Sequence, residues 1–107
     1  MRYLVTLNYI DPGPLLTSEQ VSDLIKTESS PALEALARLE SEGKIRGGIE
    51  AGARGGAFIL DADSNEEVNQ ILMGLPGWDV WKVEVTPLLS FETRREHEQS
   101  LESTLPQ

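Results

Sequence analysis

Four short stretches of this chain alternate apolar with polar residues, and between them lie stretches whose apolar residues recur every three or four positions. A period of two belongs to a strand with one buried face, and a period near 3.6 belongs to a helix with one buried stripe. The order in which the two periods follow one another constrains the fold more than any compositional figure. From Leu4 to Ile10, Tyr3, Val5, Leu7 and Tyr9 fall on one side, with Leu4, Thr6 and Asn8 on the other, which predicts a first strand. Asp11-Pro12-Gly13-Pro14 breaks it, because proline removes a donor and glycine permits positive φ. Thr17-Ser18-Glu19-Gln20 has the form of a capping box, and Val21, Leu24 and Ile25 follow at helical spacing. Glu28-Ser29-Ser30-Pro31 interrupts that pattern, and Ser30 as a cap with Pro31 at the first helical position predicts a restart. Ala32, Leu36 and Leu39 then carry the stripe to a stop at Gly43, giving one kinked helix or two end to end.

Lys44 to Ala51 and Ala57 to Ala62 read as a second and third strand, joined by a hairpin at Gly52-Ala53-Arg54-Gly55-Gly56. Ser64 with Glu67 makes a second capping box before the stripe Val68, Ile71 and Leu72, which ends at Gly74. After the turn Leu75-Pro76-Gly77, Val80 to Thr86 forms the fourth strand, with Trp81, Val83 and Val85 together. The order β-α-β-β-α-β predicts an α+β, ferredoxin-like domain over residues 1–90: a four-stranded antiparallel sheet with its helices on one face. Residues 91–107 form a charged C-terminal tail whose Leu101 and Leu105 are weak anchors, so its end is expected to fray. The second sheet face holds Leu4, Thr6, Asn8, Arg46, Glu50, Ala57, Ile59, Asp61, Lys82 and Glu84. It can face water or pack on a copy of itself about a two-fold axis.

Composition narrows the partners. The 107 residues carry 18 Asp and Glu against 9 Lys and Arg, a net charge of −9, whose field repels nucleic-acid phosphate and anionic membrane surfaces. No apolar run is long enough for a membrane span, and Met1 to Leu7 turns polar too quickly for a secretory signal, so the expected location is the cytoplasm. The chain has no Cys, and its one histidine, His97, lies between Glu96 and Glu98, so no metal site is expected. The glycines at 47, 48, 52, 55 and 56 lead into a strand without Gly-Lys-Ser/Thr and do not make a phosphate loop.

Leu75-Pro76-Gly77-Trp78 and the ending Val83-Glu84-Val85-Thr86-Pro87-Leu88, together with Glu42-Gly43-Lys44 and Asp61-Ala62-Asp63-Ser64, carry a likeness to a known group. On these residues and the element order the chain resembles the muconolactone isomerase-like family of dimeric α+β barrels, up to about Ser90. The resemblance implies a homodimer, with a larger ring as an option, and a cofactor-free enzyme for a small unsaturated lactone or carbonyl compound. Isomerase is the named activity, with cyclase and monooxygenase as relatives. A non-catalytic small-ligand or interaction module on the same barrel is the alternative.

Moving a proton between carbons needs a base, an acid and a donor for an enolate-like oxygen. Glu50, a strand carboxylate beside two arginines, is the candidate base, although a salt bridge explains it as well. Tyr9, ending the first strand, can donate to a carbonyl oxygen, with Asn8 beside it. Arg46 and Arg54 can hold a substrate carboxylate in their forked donors, and surface ion pairs are their competing role. Trp78 and Trp81 can wall an apolar pocket or simply pack in the core. These residues predict a cavity between sheet and helices near the second strand's hairpin, with Trp78 as its wall and Arg46 or Arg54 as its anion contact.

Overall fold

The computed structural model of the chain describes residues 1–9 and 16–105. The expected break at Asp11-Pro12-Gly13-Pro14 and the end of the first strand at Ile10 lie outside the described residues. The elements run β1 (Arg2–Tyr9), α1 (Ser18–Leu24), a π-helical turn (Ile25–Ser29), α2 (Ser30–Ser41), β2 (Ile45–Ile49), β3 (Gly55–Asp61), α3 (Asn65–Met73), β4 (Trp81–Leu88) and α4 (Phe91–Thr104). The sheet is antiparallel in the order β2-β3-β1-β4, with the expected α+β architecture. β4 runs past Thr86 through Pro87, which an edge strand tolerates because one side of its backbone needs no partner.

Alternation fixes what each face does. Tyr3, Val5, Leu7, Ile45, Phe58 and Leu60 are buried beneath the helices, and Val68, Leu72 and Leu75 close the core from above. The Tyr3 hydroxyl donates to Asn65 Oδ1 at 2.9 Å, so the most buried phenol keeps its hydrogen bond. Ile49 and Val85 belong to the same face but stay 47% and 40% exposed, because the helices do not reach the sheet's corners. On the other face, Arg46, Ile59, Leu4 and Thr86 stand side by side across the strands.

The helical caps follow the sequence closely. Thr17 and Gln20 exchange both bonds of their capping box. Glu67 N–H donates to Ser64 Oγ, but the Glu67 carboxylate accepts from Asp63 N–H, one residue before the cap. One expectation is corrected, and of the two alternatives for this stretch the single helix holds. Ser30 is no helix cap, and the helix does not restart: it runs through Pro31 without a break. Proline has no N–H to return to the preceding turn, and its ring crowds the carbonyl there. The helix widens just ahead of it, with Ser30 N–H donating to Ile25 O, rather than ending. The charged tail is ordered as α4: Ser90 caps it, and Arg94–Glu98 and Arg95–Glu92 pairs line its surface.

Candidate active site

A cavity of about 270 Å³ opens between the sheet and the α1–α2 helix, beside the β2–β3 hairpin. Its helical wall consists of Val21 and Leu24 from α1, Ile25, Glu28 and Ser29 from the π turn, and Leu33 from α2. Its sheet wall is Tyr9, Ile49 and Trp81, with Val80 from the turn ahead of β4, and Ala53, Arg54 and Gly55 of the hairpin close one side. Most of the lining is apolar, which suits a small organic ligand oriented by a few polar groups.

Three of the expected residues meet there. Tyr9 and Trp81 are register partners on β1 and β4, and their rings meet edge to face at 6.4 Å and 85°. The Arg54 guanidinium lies over the Tyr9 ring at 5.2 Å from its centroid. Tyr9 N–H also donates to Arg54 O at 3.1 Å, tying the hairpin to the end of β1. Arg54 is therefore held at the cavity's edge by both backbone and ring.

The other expected residues lie elsewhere. Arg46 pairs with Ile59 across the strands and so faces the opposite side of the sheet from the cavity. Asn8 and Glu50 also lie on that open side: Asn8 Oδ1 and Glu50 Oε1 both approach the Gly55 α-carbon. One-residue alternation separates them from Tyr9 and Ile49, which do reach the cavity. Trp78 lines a separate groove with Tyr3, Asn65, Val68 and Asn69, because the turn ahead of β4 carries it toward α3. Thus Trp81, not Trp78, is the aromatic wall beside the hairpin arginine.

Glu28 is the functional candidate that sequence reasoning missed. Reading Glu28-Ser29-Ser30-Pro31 as an interruption hid the fact that residues 24, 28 and 32 are four apart on one apolar stripe. A carboxylate at a core-facing position was the available signal. This half-buried side chain lies within the widened turn ahead of Pro31 and lines the cavity; π turns inside helices often sit at functional sites.

Comparison with known proteins now bears on this geometry. The muconolactone delta-isomerase family matches residues 1–94, most of the chain. The chain belongs to that family. A solved structure of muconolactone isomerase is similar over 84% of this chain and 90% of its own, at 24% identity and a TM-score of 0.65, which supports the shared fold. No curated protein matches the chain. Among the described residues no helix is long and apolar enough to cross a membrane, and no cluster of three or more His, Asp or Glu is placed to hold a metal ion.

Proposed function

We propose that this member of the muconolactone delta-isomerase family is itself an isomerase, shifting a proton within a small unsaturated lactone or related carboxylic acid bound between sheet and helices. The observation that supports it is one carboxylate, Glu28, and one guanidinium, Arg54, on the wall of the same largely apolar cavity. Arg54 supplies forked donors for a substrate carboxylate. Glu28 takes a proton from one end of the allylic carbon system conjugated with the carbonyl and returns it to the other end, through an enolate-like intermediate. The Tyr9 hydroxyl donates to the oxygen on which the enolate charge gathers. A proton moved within one molecule leaves no net redox change, so this scheme uses side chains alone and calls for no cofactor. The homodimer and the cytoplasmic location remain part of this proposal.

The test is turnover of muconolactone, followed by ultraviolet absorbance, with the wild type and three variants. Glu28→Gln is expected to lower kcat by about 10²- to 10⁴-fold, the range for a lost general acid–base. Arg54→Leu should raise KM by about tenfold or more, the scale of a lost charged hydrogen bond. Arg46→Ala, on the far side of the sheet, should leave both constants near wild type. Failure of the wild type to bind or convert any such lactone or acid would refute the activity. Full activity of Glu28→Gln would move the chemistry to another group.

A further inference from the structure

The Trp81 indole N–H is closed off from solvent and has no hydrogen-bond partner among the described residues. A buried donor left in that state costs about 1–3 kcal/mol, so its lack of a partner calls for explanation. Neither water nor a ligand in the cavity can reach the atom while it is covered, so the acceptor has to come from the protein. Gly77, immediately before the turn that leads into β4, has φ +78° and a buried α-carbon. The point where a Cβ on residue 77 would stand is 3.1 Å from Trp81 Nε1 and 3.2 Å from Glu28 Oε2. An unpaired donor and a carboxylate oxygen thus converge on a place kept open by a missing side chain. Glu28 takes part in no ion pair among the described residues.

We infer that Trp81 is a positioning residue for Glu28, its indole N–H donating to Oε2 across the space that Gly77 leaves free. The inference deepens the isomerase reading, since it assigns the support of the proposed acid–base group. The bond is not made in the structure as it stands, and a rotation of the Glu28 side chain is what would close it. The bond would hold one carboxylate oxygen against the sheet and leave the other turned toward bound substrate. A charge-assisted bond of this kind is shorter and stronger than a neutral one. The other polar groups facing Glu28 across the cavity are Tyr9 on β1 and Arg54 on the hairpin, with Ser29 beside it on the same turn. The atoms nearest the point where a Gly77 side chain would begin are Trp81 Nε1, Glu28 Oε2 and a Val80 methyl. This also gives the glycine of Leu75-Pro76-Gly77-Trp78 a role beyond its turn: a side chain there would wedge donor and acceptor apart.

The test needs no substrate. The chain has two tryptophans, so a nitrogen–proton correlation spectrum shows two indole signals, and Trp78→Phe leaves that of Trp81 alone. In that variant the Trp81 indole proton should move downfield as pH rises through the carboxyl range, while the backbone signals show the fold intact. The movement should vanish when Glu28→Gln is added, because the amide does not titrate. A Trp81 signal that does not follow carboxyl ionisation, or that follows it equally without Glu28, would overturn the pairing. In turnover, Trp81→Phe should lower kcat about tenfold with little change in KM. Wild-type kcat in Trp81→Phe would overturn the positioning role. An indole that titrates with Glu28 in a protein without lactone turnover would uphold the pair and refute the isomerase reading instead.

Discussion

At Gly47 nothing larger than hydrogen fits. A Cβ there would lie 2.2 Å from the Ala57 carbonyl oxygen and 2.6 Å from the Phe58 α-carbon, both backbone atoms of the paired strand. A flexible side chain could yield, but a strand backbone in register cannot do so without breaking the β2–β3 ladder. Gly48, its neighbour, has nothing within 4 Å of the same point. Gly47→Ala is therefore expected to destabilise the fold by about 3 kcal/mol, at the upper end for overpacking, whereas Gly48→Ala should change stability by less than about 1 kcal/mol. Paired urea titrations of the two variants measure the contrast, and equal midpoints would contradict it. The same logic of small spaces governs Gly77, where the missing side chain leaves room for function.

Helix ends carry the clearest electrostatic device at the scale of elements. The Glu67 carboxylate accepts from Asp63 N–H at 2.8 Å and lies 3.5 Å from Lys44 Nζ, at the positive end of α3. The Asp63 amide first, and Lys44 after it, hold this carboxyl below its usual value of 4.5. A carboxyl lowered by folding contributes its stability above the unfolded value and loses it as pH falls through the lower folded one. Urea midpoints should therefore fall between about pH 5 and pH 3, and Glu67→Gln should fall less steeply over that window. Parallel curves for the two proteins would show that the cap does not contribute to acid stability. The capping pattern was legible because Ser64 and Glu67 stand three apart before an apolar stripe. The π turn was not, since Pro31 after two serines reads equally well as the start of a new helix. The register of β1 was legible from its alternation, and that alternation already placed Asn8 and Tyr9 on opposite faces. Glu50 and Arg46 were misjudged as pocket residues because sequence shows that two residues share a face but not which face is hollow.

The whole molecule is elongated, 66 by 31 by 25 Å, because α4 stands away from the sheet with Phe91, Leu101 and Leu105 exposed. Among the described residues the sheet is covered on one side only. Leu4, Ile59 and Ala57 stand together at the centre of the uncovered face, ringed by Arg2–Asp61 and Lys82–Glu84 pairs at 3.7 and 3.3 Å. A face that is apolar at its centre and carries both signs at its rim is self-complementary about a two-fold axis. Rim pairs this exposed contribute little to stability and serve mainly to set orientation. Against association stands the charge of −9 on each copy, which repels a second copy until salt screens it. The expected outcome is a dimer whose affinity rises between low and physiological ionic strength, the reverse of an interface held by ion pairs. Ile59→Glu places a carboxylate at the centre of the face and should leave an 11.8 kDa monomer with the wild-type circular dichroism spectrum. Light scattering or sedimentation at micromolar concentration distinguishes the cases. An 11.8 kDa species for the wild type at every salt concentration would mean that the open face meets water, and that the cavity beside Glu28 functions within a single chain.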